Sequence, residues 1–119
     1  MDVISIKDFP GIRIGNAQNI EGGTGCTVIL SESGMCAGLD VRGGGPASRE
    51  SELLKPLANA QTIHAVLLGG GSAFGLDAGG GVMQFLEEKD IGFDVGVTKV
   101  PLVCQSDLFD LTVADPHCR

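Results

Sequence analysis

"LLGGGSAFGLDAGGG", residues 67–81, is the stretch on which the reading of this chain turns. Seven of its fifteen residues are glycine: Gly69, Gly70, Gly71, Gly75, Gly79, Gly80 and Gly81. Glycine costs about 0.5–1 kcal/mol relative to alanine inside a helix, so so many of them where a strand hands over to a helix must answer a steric need. Upstream, "IHAVLL" (residues 63–68) is apolar almost throughout, the pattern of a buried strand. Downstream, Ala78, Val82, Phe85, Leu86 and Lys89 keep helical spacing and "LEEKD" supplies a polar end, which predicts a helix over residues 73–89. Ser72 is its expected N-cap, and Asp77 sits where a carboxylate favours the positive helix end. Gly79, Gly80 and Gly81 span most of a turn, so at least one faces whatever the helix packs against. Gly80 is the trial position: a valine there overpacks if it faces the sheet.

A glycine loop opening a helix also invites an anion-binding reading. The detailed patterns fail, because no Lys-Ser or Lys-Thr follows the glycines, and Phe74 occupies the third glycine position of a fingerprint begun at Gly69 and Gly71. Close strand-to-helix packing is the stronger reading. Ser72 lacks the G-x-S-x-G context of a nucleophile elbow, since Ala73 and Phe74 precede Gly75.

Elsewhere, "CTVILS" (residues 26–31) and "MCAGLDV" (residues 35–41) surround "ESG" and read as a hairpin, with Gly34 supplying the unusual backbone angle. "VRGGGPASRESELLKP" (residues 41–56) reads as a glycine-rich loop entering a brief helical turn. Ser48 is the expected cap, Glu50 and Glu52 suit the first residues, and Pro56 discourages continuation. The segment "VPLVCQSDLFDLTVAD" (residues 100–115) returns to strand-like sequence. Asp40 and Arg42 flank Val41 and share a face if this is a strand. With Arg49 and Glu50 they are candidates for a polar site beside residues 43–45, although a structural ion pair outweighs a catalytic role. His64 reads as a core or capping residue, and His117 says little.

The chain has 119 residues, 43% hydrophobic and 19% charged, which fits one globular domain over residues 1–119. Its net charge of −7, its pI near 4.5 and its lack of Trp and Tyr oppose binding to nucleic acid or an anionic membrane. No basic start with a long apolar run marks a signal peptide, and no stretch approaches the roughly 18 apolar residues of a membrane span, so the cytoplasm is the default location. Cys26, Cys36, Cys104 and Cys118 lack zinc-like spacing and read as free structural thiols. No metal or other cofactor is expected.

Five segments occur in one order and at close spacing: "PGIRIGNA", "GTGCTVIL", "AGLDVRGGGPASRESELLKP", "HAVLLGGGSAFGLDAGGGVMQFLEEKDIGFDVG" and "VPLVCQSDLFDL". Together they resemble the N-terminal part of the L-aminopeptidase/D-esterase (DmpA) family, which includes β-aminopeptidases and a nylon-oligomer hydrolase. The resemblance runs over residues 10–115. It implies an α/β (α+β) fold, the N-terminal portion of an αββα sandwich of the DmpA/ornithine acetyltransferase type, in which the glycines serve close layer packing.

The resemblance further implies a self-processing N-terminal-nucleophile hydrolase of small peptides, amides or esters. In that family the Ser or Thr exposed by self-cleavage attacks, its own amino group serves as base, and backbone or Asn donors hold the oxyanion. The processing site, nucleophile and oxyanion Asn fall in a segment beyond these residues, so no catalytic residue is carried over and the chain alone is expected to be inactive. Phe109 matches a position near the substrate pocket that is Tyr in some relatives. "CQSD" (residues 104–107) replaces small, mostly apolar residues. The expected partners are the remainder of the same precursor or a second copy of the chain. The alternative readings are a noncatalytic remnant that binds a small ligand or related subunit, and a structural oligomerisation module.

Overall fold

The computed structural model describes residues 3–119. Over these residues the strands are β1 (Arg13–Asn19), β2 (Thr24–Met35), β3 (Ala47–Arg49), β4 (Ile63–Gly69), β5 (Phe93–Asp94), β6 (Lys99–Val100) and β7 (Val103–Asp107), with one α-helix, α1 (Ala78–Glu87). Short 3-10 turns lie at Ile6–Asp8, Ser51–Leu54 and Ser72–Asp77. Five strands form a mixed sheet in the order β1-β2-β4-β7-β3, and β5 pairs with β6. β4 and β7 run parallel while their outer neighbours are antiparallel. A parallel pair needs a crossover, and α1 supplies it. The class is therefore mixed α and β, as the sequence predicts.

The apolar run at residues 63–68 is the central strand. Ile63, Ala65 and Leu67 are buried and face α1, where Leu30, Ala65, Leu86 and Val103 form the core with Val28, Val82, Met83 and Ile91 against it. Leu68, on the opposite face, stays 48% exposed.

Three local expectations are corrected. The hairpin around "ESG" does not form, because β2 continues through it to Met35 and residues 36–41 are not strand. From Cys26 to Leu30, β2 already has β1 on one edge and β4 on the other, so this stretch has no hydrogen-bonding edge left for a hairpin partner. Gly34 does take a positive φ (86°), in the register shift between Leu30 and Met35. Ser48 lies in β3 and caps nothing; its hydroxyl accepts a 2.7 Å bond from Ser51 Oγ, and Glu50 opens the turn at φ 57°.

The helix expected over residues 73–89 is a 3-10 turn followed by ten residues of α-helix ending at Glu87. Ser72 is not the N-cap: it adopts φ 55° directly after Gly71 at φ 86°, and no side chain caps the 3-10 turn or α1. The helix ends where Asp90 turns to φ 56° and Ile91 N donates to Leu86 O at 3.0 Å. Of the three glycines, Gly79 faces the sheet. A Cβ there would lie 2.6 Å from Gln105 Oε1 and 2.8 Å from Arg49 Nη1, whereas Gly80 and Gly81 meet nothing within 4 Å. Close packing is real at this junction, but Gly80 is not where it happens.

Candidate functional site

The parallel pairing brings the carboxyl ends of β4 and β7 side by side, with Gly69 opposite Asp107. In sheets of this kind ligand sites favour that end. The glycine loop leaves β4 here and is fastened from several sides. Gly70 N donates to Gly25 O at 2.9 Å, Gly71 N to Asp110 Oδ1 at 2.7 Å, and Ser72 N to Leu108 O at 2.9 Å. Thr24 Oγ1 gives Asp110 a second bond at 2.7 Å. These donors hold the Asp110 carboxyl below the usual carboxylate range, the Gly71 amide first and the Thr24 hydroxyl second. The loop's capacity for anions is thus taken by the protein's own carboxylate, which is the physical reason that the phosphate-loop reading fails.

Gln105 and Asp107 point to the α1 side of β7. Gln105 is 3% exposed, and its Nε2 donates to Gly75 O at 2.8 Å and to both Asp107 oxygens at 2.9 and 3.0 Å. Turning the amide over would set its oxygen against three acceptors, so this orientation is required. It leaves Oε1 buried without a partner, facing Gly79 beside the Arg49 guanidinium. Arg49 donates to Leu76 O (3.5 Å) and contacts Met83 Sδ (2.9 Å). Burial is the main cause that pushes the Asp107 carboxyl up; the Gln105 bond opposes this and the Asp110 charge adds to it.

Two depressions adjoin the loop. One, of about 800 Å³, lies on the α1 side, with Gln18, Asn19, Phe74, Asp77 and Arg119 among its walls. The other, of about 750 Å³, runs onto the opposite face past Thr27, Leu68, Ser106 and Asp110. Gly25, Gly69 and Gly70 border both.

The residues singled out from sequence fall as follows. Asp40 and Arg42 form an exposed 2.7 Å ion pair, on a segment that is not strand. Arg49 does not join them, because it is drawn across to the turn before α1. Glu50 offers its carbonyl to Cys104 Sγ at 3.7 Å. His64 is 8% exposed and its Nδ1 accepts the Leu102 amide at 3.2 Å, a structural role, with burial lowering its pKa. The four cysteines are free, and burial first, then the Glu50 charge, pushes the Cys104 thiol up, which makes it a poor nucleophile. Phe109 is 69% exposed beside Asp110. Sequence reasoning gave no role to Thr24, Asp107 and Asp110. Their only signal was polarity at a strand end, which many solvated residues share.

What the described residues contribute is a mixed sheet with a glycine-lined cleft at its parallel strand ends. The chain belongs to peptidase family S58, whose description matches residues 5–117. It is 42% identical over 123 residues to an uncharacterized aminopeptidase of Mycobacterium leprae, covering 97% of this chain and 34% of that protein. An uncharacterized aminopeptidase of Mycobacterium tuberculosis is 42% identical over 125 residues (97% and 36%). A 6-aminohexanoate-oligomer endohydrolase of Kocuria sp. is 34% identical over 106 residues (88% and 27%). The chain thus spans about a third of the length of these relatives.

Proposed function

We propose that these residues are the N-terminal portion of an aminopeptidase-like hydrolase of small peptides, amides or esters, and that a segment outside them supplies the nucleophile. The observation that carries this reading is the surface left bare. The chain exposes 8151 Å², against about 6,100 Å² for a folded monomer of this mass. The excess of roughly 2,000 Å² is what an obligate interface covers. Its radius of gyration, 15.2 Å, also exceeds the roughly 13.5 Å of a compact chain of this length. Ile14, Leu68, Phe74 and Phe85 are among the apolar side chains left in water. The remainder of the same precursor is the partner that fits, with self-association as the other way to cover this surface.

In this reading the glycine loop forms one wall of the pocket and Phe109 lends it an apolar edge. An N-terminal Ser or Thr released by self-cleavage attacks the carbonyl, its own amine taking the proton, in a cytoplasmic oligomer. The noncatalytic alternative draws support from Gln105 and Asp107, which fill with polar groups a place where small apolar residues are expected.

The test is to express the coding frame through and beyond Arg119 and follow it by intact-mass spectrometry and hydrolysis of an aminoacyl-p-nitroanilide. Cleavage that leaves an N-terminal Ser or Thr, together with turnover, is expected. An uncleaved, inactive product overturns the enzyme reading. The 119-residue chain alone should show no turnover, and an activity of that chain lost on Ser72→Ala would overturn the role given to a segment outside these residues.

A further inference from the structure

Helix covers only part of the five-stranded sheet. Strands at about 4.8 Å spacing make that sheet about 19 Å across, and a helix with its side chains is about 10–12 Å wide, so two helices side by side fit over it. α1 packs over β4 and β7, and the 3-10 turn before it lies against β3 and β7. Among the described residues no helix lies over the β1–β2 half. An apolar groove of about 360 Å³ runs there beside α1. Gly15 of β1 with Val28 and Leu30 of β2 form its floor, and Ala78, Gly81, Val82 and Phe85 form its wall. Native packing leaves few apolar gaps much larger than a water molecule, so this surface is unfinished.

We propose that the groove seats a second, amphipathic α-helix, supplied by a segment of the same polypeptide beyond Arg119, which lies beside α1 and completes the helix layer. The inference rests on the hydrolase reading only in drawing its occupant from the longer polypeptide.

Three observations support it. The wall residues stand at i, i+3, i+4 and i+7 of α1, the stripe by which one helix meets another. This stripe lies about a quarter-turn from Gly79 and Leu86, which face the sheet, so it looks sideways toward β1. Next, both surfaces are small where a neighbour must come close. Ala78 and Gly81 lie one turn apart on α1, while Gly15 and Ala17 share the α1 face of β1, because they pair with Val28 and Cys26. A Cβ at Gly15 or at Gly81 meets nothing within 4 Å, so packing among the described residues accounts for neither glycine. A helix seated at the usual interaxial distance of about 8–10 Å accounts for both. Finally, the occupant has a source. This chain spans about a third of the length of its mycobacterial relatives. A tethered segment also acts at an effective concentration in the millimolar range, which a second copy in dilute solution does not match. Ala78 and Gly81 border the depression at the glycine loop as well, so one end of this helix reaches its rim.

The test uses the polypeptide encoded through and beyond Arg119, with Ala78, Phe85 or Glu87 replaced by the photoreactive p-benzoyl-L-phenylalanine and the attachment points mapped by mass spectrometry after irradiation. Ala78 and Phe85 lie in the groove wall about 10 Å apart along α1, and Glu87 lies on the opposite flank. The expected result is cross-linking within one molecule from both wall positions, to residues beyond Arg119 that are about seven apart, with none to that segment from position 87. Attachment points about three residues apart mean an extended strand, cross-links between two molecules mean a second copy, and no cross-link from either wall position means an open groove. Each of these overturns the proposal. A second measurement needs no photoprobe. In the same polypeptide, Gly81→Leu should melt at least about 3 °C below Gly80→Leu, because only position 81 faces the added helix; equal melting temperatures overturn the close approach at Gly81. The expected cross-links in a polypeptide that does not turn over an aminoacyl-p-nitroanilide leave this docking intact and remove the hydrolase reading. Turnover without the cross-links does the reverse.

Discussion

Gly79→Ala and Gly80→Ala, adjacent changes of one methyl group, should move stability in opposite directions. Both residues lie in α1, where replacing glycine by alanine gains about 1 kcal/mol of helix propensity. At Gly80 nothing lies within 4 Å of the new carbon, so the gain is realised in full. At Gly79 the methyl would come 2.6 Å from Gln105 Oε1. That oxygen cannot retreat cheaply, because the same amide holds Gly75 O at 2.8 Å and Asp107 at 2.9 Å. The Arg49 guanidinium, 2.8 Å away, is flexible and can swing aside. Overpacking of this kind costs about 1–3 kcal/mol, and a pinned neighbour belongs in the upper half of that range. Subtracting the propensity gain leaves Gly79→Ala destabilised by about 1–2 kcal/mol. At about 4 °C per kcal/mol for a chain of this length, Tm should fall by roughly 4–8 °C for Gly79→Ala and rise by roughly 4 °C for Gly80→Ala. Circular-dichroism melts of the two variants beside the parent measure both. A Gly79→Ala chain as stable as the Gly80→Ala chain would refute the argued contact between α1 and Gln105.

The two carboxylates at the glycine loop should respond oppositely to loss of charge. The Asp107 pKa is raised above 3.8, so its contribution to stability is present below that value and is lost as pH rises through the folded pKa. Asp107→Asn should therefore be neutral or stabilising in urea unfolding at neutral pH, and a clear loss there would contradict this. The Asp110 pKa is lowered, so its contribution is present above 3.8 and is lost as pH falls through the folded value; Asp110→Asn should cost about 1 kcal/mol at neutral pH. His64 is held neutral by burial, so its contribution is complete above 6.5 and declines as pH falls through the window below it. The parent should lose more stability than His64→Gln between about pH 7.5 and about pH 5, and parallel losses would show that His64 is not the responsible group. Gln105→Ala strips Gly75 O and Asp107 of a donor and should cost about 1–3 kcal/mol by the same unfolding assay; an unchanged midpoint would mean that water takes its place.

What the sequence disclosed, and what it hid, follows from how far each signal reaches. The strand at residues 63–68 and the apolar face of α1 were legible because burial repeats along the chain itself. The hairpin at Gly34 misled because its local signal was sound, with a positive φ indeed present. What excluded it was the pairing of β2 with β4, whose strand begins 28 residues after Met35 ends its own. Ser72 misled for a similar reason. A serine before a helical pattern is a good cap, but its amide is claimed by Leu108 O, and the Gly71–Ser72 backbone takes left-handed angles to reach it.

The polar residues at the strand ends were beyond reach of any local rule, and their arrangement explains the spacing of the glycines around them. Gln105 and Asp107 stand two apart on β7, so they share a face, and that face is the one α1 covers. A buried amide and a half-buried carboxylate there are favourable only when they serve each other. Gln105 Nε2 serves Asp107 and Gly75 together, and the glycines at 75 and 79 leave the space in which it does so. The glycine-rich stretch and the "CQSD" segment are therefore one structural solution: a side chain at position 79 would meet the amide that holds Asp107, and a small apolar residue at position 105 would strip that half-buried carboxylate of its donor. Changing one without the other should cost stability, which makes Gly79 and Gln105 a coupled pair. In the double variant Gly79→Ala with Gln105→Ala, the alanine methyl enters space the amide vacates. The two losses should therefore sum to more than the double variant shows, by about 1 kcal/mol or more in a double-mutant cycle. Strict additivity would mean that the helix and β7 meet at this point without depending on each other.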